Sequence, residues 1–323
     1  MSSVVAVVVT FNRKALLLQC IAALLSQTSP LEKIVIIDNA STDGTYDSLL
    51  KEGYLENDKI NYQLLSSNTG GAGGFHEGIK LAHSMSAEWI WVMDDDAEPV
   101  NDCLFEMQPF LSEKSHLAVC PVVADSNLNP TYGNDRGVFI PYSGSGSLIL
   151  EPTSESYLKG TELIEIDHAS FVGLCFRKAL VDIIGLPKKE FFIHYDDSEY
   201  CSRIRQFGSI ILVPTAIIKH KCEAKKGLYK TKKRFYFKLE RIKIEKLWLS
   251  YYGYRNLTWL AWHKKIRVSK FVRFIMILRL FRLLFIVLII DDNKMKRINF
   301  WVNAFIDGVF DNFDNAKPKK IIS

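Results

Sequence analysis

Residues 4–9, 34–37 and 89–93 are uninterrupted apolar runs of strand length, and each leads into polar residues. A strand with one wet face alternates polar and apolar side chains, whereas a strand buried on both faces does not. Between the first two runs, residues 14–26 have helical periodicity, with Leu17, Cys20, Ile21, Leu24 and Leu25 recurring on one side. Doubly buried strands separated by helices form a parallel sheet covered on each face. The expected order is strand 4–9, helix 14–26, strand 33–38, a helix beginning at Ser41-Thr42, strand 61–65, a glycine-rich turn, helix 75–84 and strand 89–93. The fold class is therefore α/β, a mostly parallel sheet with helices on both faces. Ligands in such sheets bind beyond the carboxyl ends of the strands. Thr10 to Arg13, Asp38, Asn68 and Asp94 to Asp96 all fall there.

The charge is divided unevenly. Residues 1–218 hold 15 Lys/Arg against 28 Asp/Glu, a sum of −13, and residues 219–323 hold 26 against 8, a sum of +18, giving the chain's +5. A basic back half implies an anionic partner. The acidic front half and the lack of a nucleic-acid motif argue against nucleic acid. That leaves phospholipid or a phosphorylated substrate. From about residue 228 the pattern reads as helical, basic and aromatic, and residues 317–323 read as an unstructured tail. The expected division is residues 1–225 as a catalytic domain and 226–323 as a helical basic region for membrane-surface association or oligomerisation. Residues 271–290 have the length of a membrane span, but Arg273, Arg279 and Arg282 oppose insertion at roughly 2.5–3.5 kcal/mol for each central arginine. An interfacial helix or a contact in a homo-oligomer fits better. Lys264, Lys265, Arg267 and Lys270, near Trp259 and Trp262, suit an anionic lipid surface. A helical bundle packed on the catalytic domain fits equally well. The six cysteines form no CxxC pair and read as core thiols in a reducing cytosol. Residues 4–9 are too short for a leader and lack its basic start.

Four constellations carry chemistry. Asp94-Asp95-Asp96 gathers three carboxylates whose mutual repulsion calls for a cation, and carboxylate oxygens suit Mg²⁺ or Mn²⁺. Asn68-Thr69-Gly70-Gly71-Ala72-Gly73-Gly74-Phe75 lets the backbone approach phosphate or sugar, but lacks the lysine of a phosphate-binding loop. His194-Tyr195-Asp196-Asp197-Ser198-Glu199-Tyr200 places carboxylates at a helix start, where Asp197 is either a general base or a plain N-cap. His220 follows a strand-like run; it is either structural or a third metal ligand beside the aspartates.

Together these residues resemble glycosyltransferase family 2, the inverting GT-A enzymes with a Rossmann-like sheet. Val8 to Arg13, Ile36 to Thr45 and the triple aspartate occur in the family's order, over roughly residues 3–225. Within that family the chain is similar to bacterial galactofuranosyltransferases. Gly70 to Phe75 matches their glycine-rich stretch, and Tyr195-Asp196-Asp197-Ser198-Glu199-Tyr200 matches their Trp-Asp-Asp-x-Glu-Tyr motif with tyrosine in place of tryptophan. Rhamnosyltransferases share the frame.

The resemblance implies roles. Thr10, Phe11, Arg13, Asp38, Asn68, Asp94 and Asp95 would hold the nucleotide and donor. Asp94, Asp96 and His220 would hold Mn²⁺ or Mg²⁺. Asp197 would be the catalytic base, with Tyr195, Asp196 and Glu199 on the acceptor. The expected donor is UDP-galactofuranose, with dTDP-rhamnose as the alternative. The expected acceptor is a glycan or polyprenyl-diphosphate-linked glycan of cell-surface polysaccharide synthesis, at the cytoplasmic face of the membrane. Tyr132, Asp135 and Arg136 are candidates for choosing the donor. A non-catalytic sugar-nucleotide or glycan binding module is a rival reading. The intact Asp94–Asp96, Asp197 and His220 set argues against it.

Overall fold

The computed structural model describes residues 1–131, 135–140, 149–152, 164–221, 229–234, 237–263 and 270–322. Tyr132, Cys222, Lys264, Lys265 and Arg267 lie outside the described residues. The chain forms two units. One comprises Met1–Phe139, Leu150–Lys189 and Asp196–Lys221; the other comprises Ile140–Ile149, Glu190–Tyr195 and Cys222–Ser323.

The first unit begins β1 (Val4–Thr10), α1 (Lys14–Leu25), β2 (Lys33–Asp38), α2 (Thr45–Lys51), β3 (Ile60–Leu64), α3 (Gly70–His83), β4 (Trp89–Asp94) and β5 (Ala97–Pro99). It continues through α4 (Cys103–Ser112), β6 (Ala118–Ala124), β7 (Arg136–Ile140), β8 (Ile149–Pro152), β9 (Ile164–Ile166) and β10 (His168–Ala169). β11 (Leu174–Arg177), α5 (Leu180–Ile184), α6 (Asp196–Ile204) and β12 (Ile210–His220) complete it. The central sheet has nine strands in the order β3-β2-β1-β4-β11-β6-β12-β5, with β9 also against β12. β3, β2, β1, β4, β6 and β12 run one way; β11, β5 and β9 run against them. The mostly parallel sheet expected from the sequence is the sheet observed.

All seven residues of β1 are buried. Val4, Ala6 and Val8 pack in a core with Leu17, Ile21, Ile34 and Ile36. Val5, Val7 and Val9 pack in the opposite core with Phe75, Ile79, Val35 and Ile37. One strand thus serves two cores, which is why its sequence does not alternate. Each such side chain contributes about 1.5–3 kcal/mol by leaving water.

Two local expectations are corrected. The helix after Thr45 starts later than Ser41-Thr42, because residues 41–44 form a turn tied to the β1 end. The glycine-rich segment is not a turn before helix 75–84; it is the first two turns of α3. A Cβ on Gly74 would stand 2.4 Å from Val9 Cγ1, and one on Gly78 would stand 2.4 Å from Val7 Cγ1. Glycine inside a helix costs ~1 kcal/mol relative to alanine. Here it lets the helix backbone lie directly on β1.

The second unit holds an antiparallel hairpin, β13 (Tyr229–Arg234) with β14 (Phe237–Ile242). It corrects the expected all-helical pattern from residue 228. The sequences Tyr229-Lys230-Thr231-Lys232 and Phe237-Lys238-Leu239-Glu240 do alternate with period two, but lysine masks the signal. After the hairpin come α7 (Trp248–His263), α8 (Lys270–Ile290), α9 (Lys294–Val309) and α10 (Lys317–Ile322). Tyr251, Tyr254, Leu257, Met276, Val287, Phe300 and Ala304 form their core. α10 replaces the expected unstructured tail, and Lys317 Nζ pairs with the buried Asp307 at 2.8 Å. Among the described residues, no helix is long and apolar enough to cross a membrane. The five described cysteines are free and buried.

Candidate active site

The site is built at the carboxyl ends of β1, β2, β4 and β12. β4 ends at Asp94, and the chain then reverses into the short β5. β5 pairs antiparallel with the end of β12, setting His220 opposite Ala97. The Lys221 N–H donates to the Asp96 carbonyl at 3.0 Å. This pairing delivers His220 to the aspartates: its Nε2 lies 3.3 Å from Asp96 Oδ1. One ligand atom each from Asp94, Asp96 and His220 lie within 4.8 Å of one another.

Arg13 and Thr10 enter from the end of β1. Arg13 Nη1 donates to Asp96 Oδ2 at 2.8 Å and to Asp95 Oδ1 at 3.2 Å. Thr10 Oγ1 donates to Asp95 Oδ2 at 2.7 Å. Phe11 is exposed, on the turn where Asn12 adopts a φ of +55°.

The electrostatics show a crowded acidic cluster. Burial, then Asp96 and Asp95, push the Asp94 carboxyl well above the usual range. Burial raises Asp95 to about 6 despite Thr10 and Arg13. Burial also works against Asp96, but His220 and Arg13 outweigh it and hold this carboxyl low. For His220, burial is outweighed by Asp96 and Asp94, so the imidazole is held above its ordinary value. The residues fit a divalent cation. Carboxylate and imidazole donors suit Mn²⁺ or Mg²⁺. Asp96 Oδ1 is buried with His220 Nε2 3.3 Å away, and an added positive charge relieves the repulsion among the three carboxyls.

Asp38 forms a second cluster. Its Oδ1 accepts the Ser41 N–H at 2.7 Å and its Oδ2 accepts the Tyr62 hydroxyl at 2.8 Å. Asn39 Nδ2 donates to the Gly70 carbonyl at 2.8 Å, and its Oδ1 accepts from the Thr69 N–H and hydroxyl. Asn68 Oδ1 accepts the Gly70 N–H at 2.8 Å, so its side chain is engaged at the start of α3. Asn39 and Tyr62 were not given a role from the sequence, and Thr69 appeared there only within the glycine-rich segment. Asn39 stands next to Asp38 in the segment already recognised; nothing in the sequence pairs Tyr62 with it.

α6 opens with Asp196 and Asp197. Burial, then Asp197, push the Asp196 carboxyl up to about 8. It lies near enough to Asp94 to raise that carboxyl as well. Asp197 Oδ1 accepts the Ser198 N–H at 2.6 Å. Glu199 pairs with Arg203 at 2.8 Å, and Arg203 in turn donates to the Leu186 carbonyl. Tyr195 belongs to the other unit, where it packs on the helical core. Arg136 is 3% exposed, and donates to the Pro121, Asp135 and Val172 carbonyls. Asp135 accepts the Ser170 hydroxyl at 2.9 Å and is close enough to His220 to help raise its pKa.

Comparison with known proteins decides the family. The model of the family described as glycosyl transferase family 2 matches residues 5–181, more than half of the chain. The chain belongs to glycosyl transferase family 2. This family 2 chain is 32% identical over 212 residues to the galactofuranosyltransferase GlfT1 of Mycobacterium tuberculosis, covering 64% of this chain and 66% of that one. The match therefore spans just under two thirds of that relative's length. Over 220 residues it is 23% identical to the dTDP-rhamnosyl transferase RfbF of Shigella flexneri, covering 68% and 69%. Among solved structures, S. aureus TarS has a TM-score of 0.58 at 13% identity, covering 99% of this chain and 88% of that one. At that identity the likeness concerns fold alone. The fold is GT-A, as the strand order and the family resemblance imply.

Proposed function

We propose that this family 2 chain is a metal-dependent, inverting glycosyltransferase that moves galactofuranose from UDP-galactofuranose to a hydroxyl of a lipid-linked glycan at the cytoplasmic membrane surface. The observation that carries the reading is the meeting of Asp94, Asp96 and His220 at one strand-end crevice. The likeness to galactofuranosyltransferase GlfT1 supports the donor, and the basic second unit supports the membrane.

In this reading Asp94, Asp96 and His220 hold a divalent ion. Bound there, the ion supplies positive charge to neutralise what develops on the departing diphosphate. Arg13 adds a fixed guanidinium beside Asp95 and Asp96. Thr10, Phe11 and Asp38 line the nucleotide side. Asp196 and Asp197 divide their work by environment. Asp196 is buried and retains its proton near neutrality. Asp197 is the less buried of the two adjacent carboxyls. The Ser198 N–H fixes the direction of the Asp197 carboxylate, which takes the proton from the attacking hydroxyl.

A single displacement with one base inverts the anomeric centre. The expected product has the anomeric configuration opposite to the donor's, read from proton NMR of the purified glycoside. Retention would mean a double displacement or attack from the leaving-group face, and would overturn this mechanism.

A further inference from the structure

β12 ends Ile217-Ile218-Lys219-His220, and Lys221 follows it directly. The reaction above uses His220 and gives Lys221 no part. A lysine at a strand end ordinarily keeps its ammonium in water. Lys221 does not: its side chain is 26% exposed, and its ammonium is committed to two partners. Nζ donates to Gln19 Oε1 on α1 at 2.6 Å and pairs with Glu98 Oε1 on β5, whose side chain is 17% exposed. The Lys221 N–H meanwhile donates to the Asp96 carbonyl at 3.0 Å. One residue thus joins α1, β5 and the last aspartate of the cluster.

That joint matters because strand pairing alone gives His220 little support. Against β6, the register of β12 shifts between Val213 and Ile217, and the pairing then runs only as far as Lys219 with Ala124. His220 lies beyond it. Its strand partner is Ala97 in β5, a strand of three residues that includes Pro99. Proline cannot donate to a ladder, so this short ladder has few bonds to offer. His220 is its last rung, yet the imidazole Nε2 is held 3.3 Å from Asp96 Oδ1.

α1 reaches the other arm of the site as well. Arg13, at the start of this helix, donates to Asp95 and Asp96. Cys20 Sγ donates to the Asp94 carbonyl at 3.9 Å. Gln19 and Cys20 are neighbours, so one turn of α1 touches the chain at Asp94 and at Lys221. Both lengths of chain that carry the metal-ligand set are therefore tied to a common support, one by a thiol and the other through the lysine.

We propose that Lys221 is a positioning residue for the metal site: held between Glu98 and Gln19, it fixes the end of β12 so that His220 joins Asp94 and Asp96 on the cation. The proposal rests on the metal-dependent reading above and assigns the residue that makes its third ligand available. Charge and position act in opposite directions here. Removing a cation from beside a cation site, by charge alone, tightens metal binding. Loosening a ligand weakens it.

Titration of the full chain with Mn²⁺ in the absence of nucleotide, with the free ion read by electron paramagnetic resonance, tests this. Lys221→Met weakens Mn²⁺ binding by about 10–100-fold, the usual loss when a partner that orients a metal ligand is removed. Lys221→Arg, which keeps a cation able to reach both partners, recovers most of that loss. Gln19→Leu changes no charge; it weakens binding less, and adds nothing in the Lys221→Met background, because both act through one ammonium. The variants melt close to the parent, since a partly exposed ion pair adds little stability. In turnover the defect is a higher Mn²⁺ requirement, with the rate at saturating Mn²⁺ little changed. Unchanged or tighter Mn²⁺ binding in Lys221→Met overturns the clamp and leaves the metal reading standing. A loss that Lys221→Arg does not recover, or that follows a lowered melting temperature, also overturns it. No Mn²⁺ binding by the folded parent removes the metal reading, and this proposal with it.

Discussion

Asp197→Ala lowers the rate of sugar transfer by about 10²–10⁴-fold, the range of a lost general base, and leaves UDP affinity within about twofold. The proton of the attacking hydroxyl must go to a group that is ionised and directed at the acceptor. Asp196 is unsuited, because burial keeps it protonated to about pH 8. Glu199 is unsuited, because Arg203 occupies its carboxylate at 2.8 Å. Asp197 is the remaining carboxyl of the segment. Its contact with the Ser198 N–H also ties down the first turn of α6, so the loss in the alanine variant has two readings. Asp197→Asn separates them. Asparagine keeps an oxygen for that N–H but cannot accept the proton. The amide therefore restores stability and does not restore turnover. Restored turnover in Asp197→Asn, with UDP binding intact, would reduce this residue to that tie.

His220→Ala removes the manganese dependence of UDP binding and lowers turnover by about 10³-fold, equivalent to several kcal/mol of charge stabilisation. Asp96→Asn behaves alike. The β5–β12 pairing brings His220 to Asp96, and among the described residues its imidazole and Arg13 are the neutralising groups of the cluster. The two variants differ in the metal-free protein. His220→Ala leaves Asp96 with less compensation and lowers the melting temperature. Asp96→Asn removes one of three crowded carboxyls and does not lower it. Calorimetry of UDP with and without Mn²⁺, beside thermal melts of the metal-free proteins, reads both effects. UDP binding that is equally tight with and without Mn²⁺ in the parent protein contradicts the metal assignment.

The sequence revealed β1, β2 and β4 because these strands are buried on both faces, and double burial leaves only one kind of residue available. The acidic ends of those strands followed from the same register. It did not reveal that Gly70 to Gly74 are helical. Intrinsic preference places such glycines in a turn, and only the closeness of Val7 and Val9 to Gly78 and Gly74 makes them fit a helix. The role of β5 was equally hidden. Three residues, one of them Pro99, carry no period, yet their pairing with β12 carries His220 to the aspartates. Tyr62 reaches Asp38 from the neighbouring strand, a contact that depends on register. In the second unit, lysine and arginine masked the period-two pattern of the hairpin. The positive φ at Phe192 and Tyr195 had no sequence signal, since aromatic residues rarely adopt one.

The central claim is that this chain transfers a sugar from a nucleotide donor held at the Asp94–Asp96–His220 site. The most direct measurement is nucleotide release by the purified full chain with Mn²⁺ present, comparing UDP-galactofuranose, UDP-galactopyranose and dTDP-rhamnose. UDP release fastest from UDP-galactofuranose, abolished by chelation, is the expected result. Faster release from dTDP-rhamnose would keep the site and change the sugar. Release from none of the three, with Mn²⁺ bound and the protein folded, would contradict the claim and make the chain a binding module on a transferase fold.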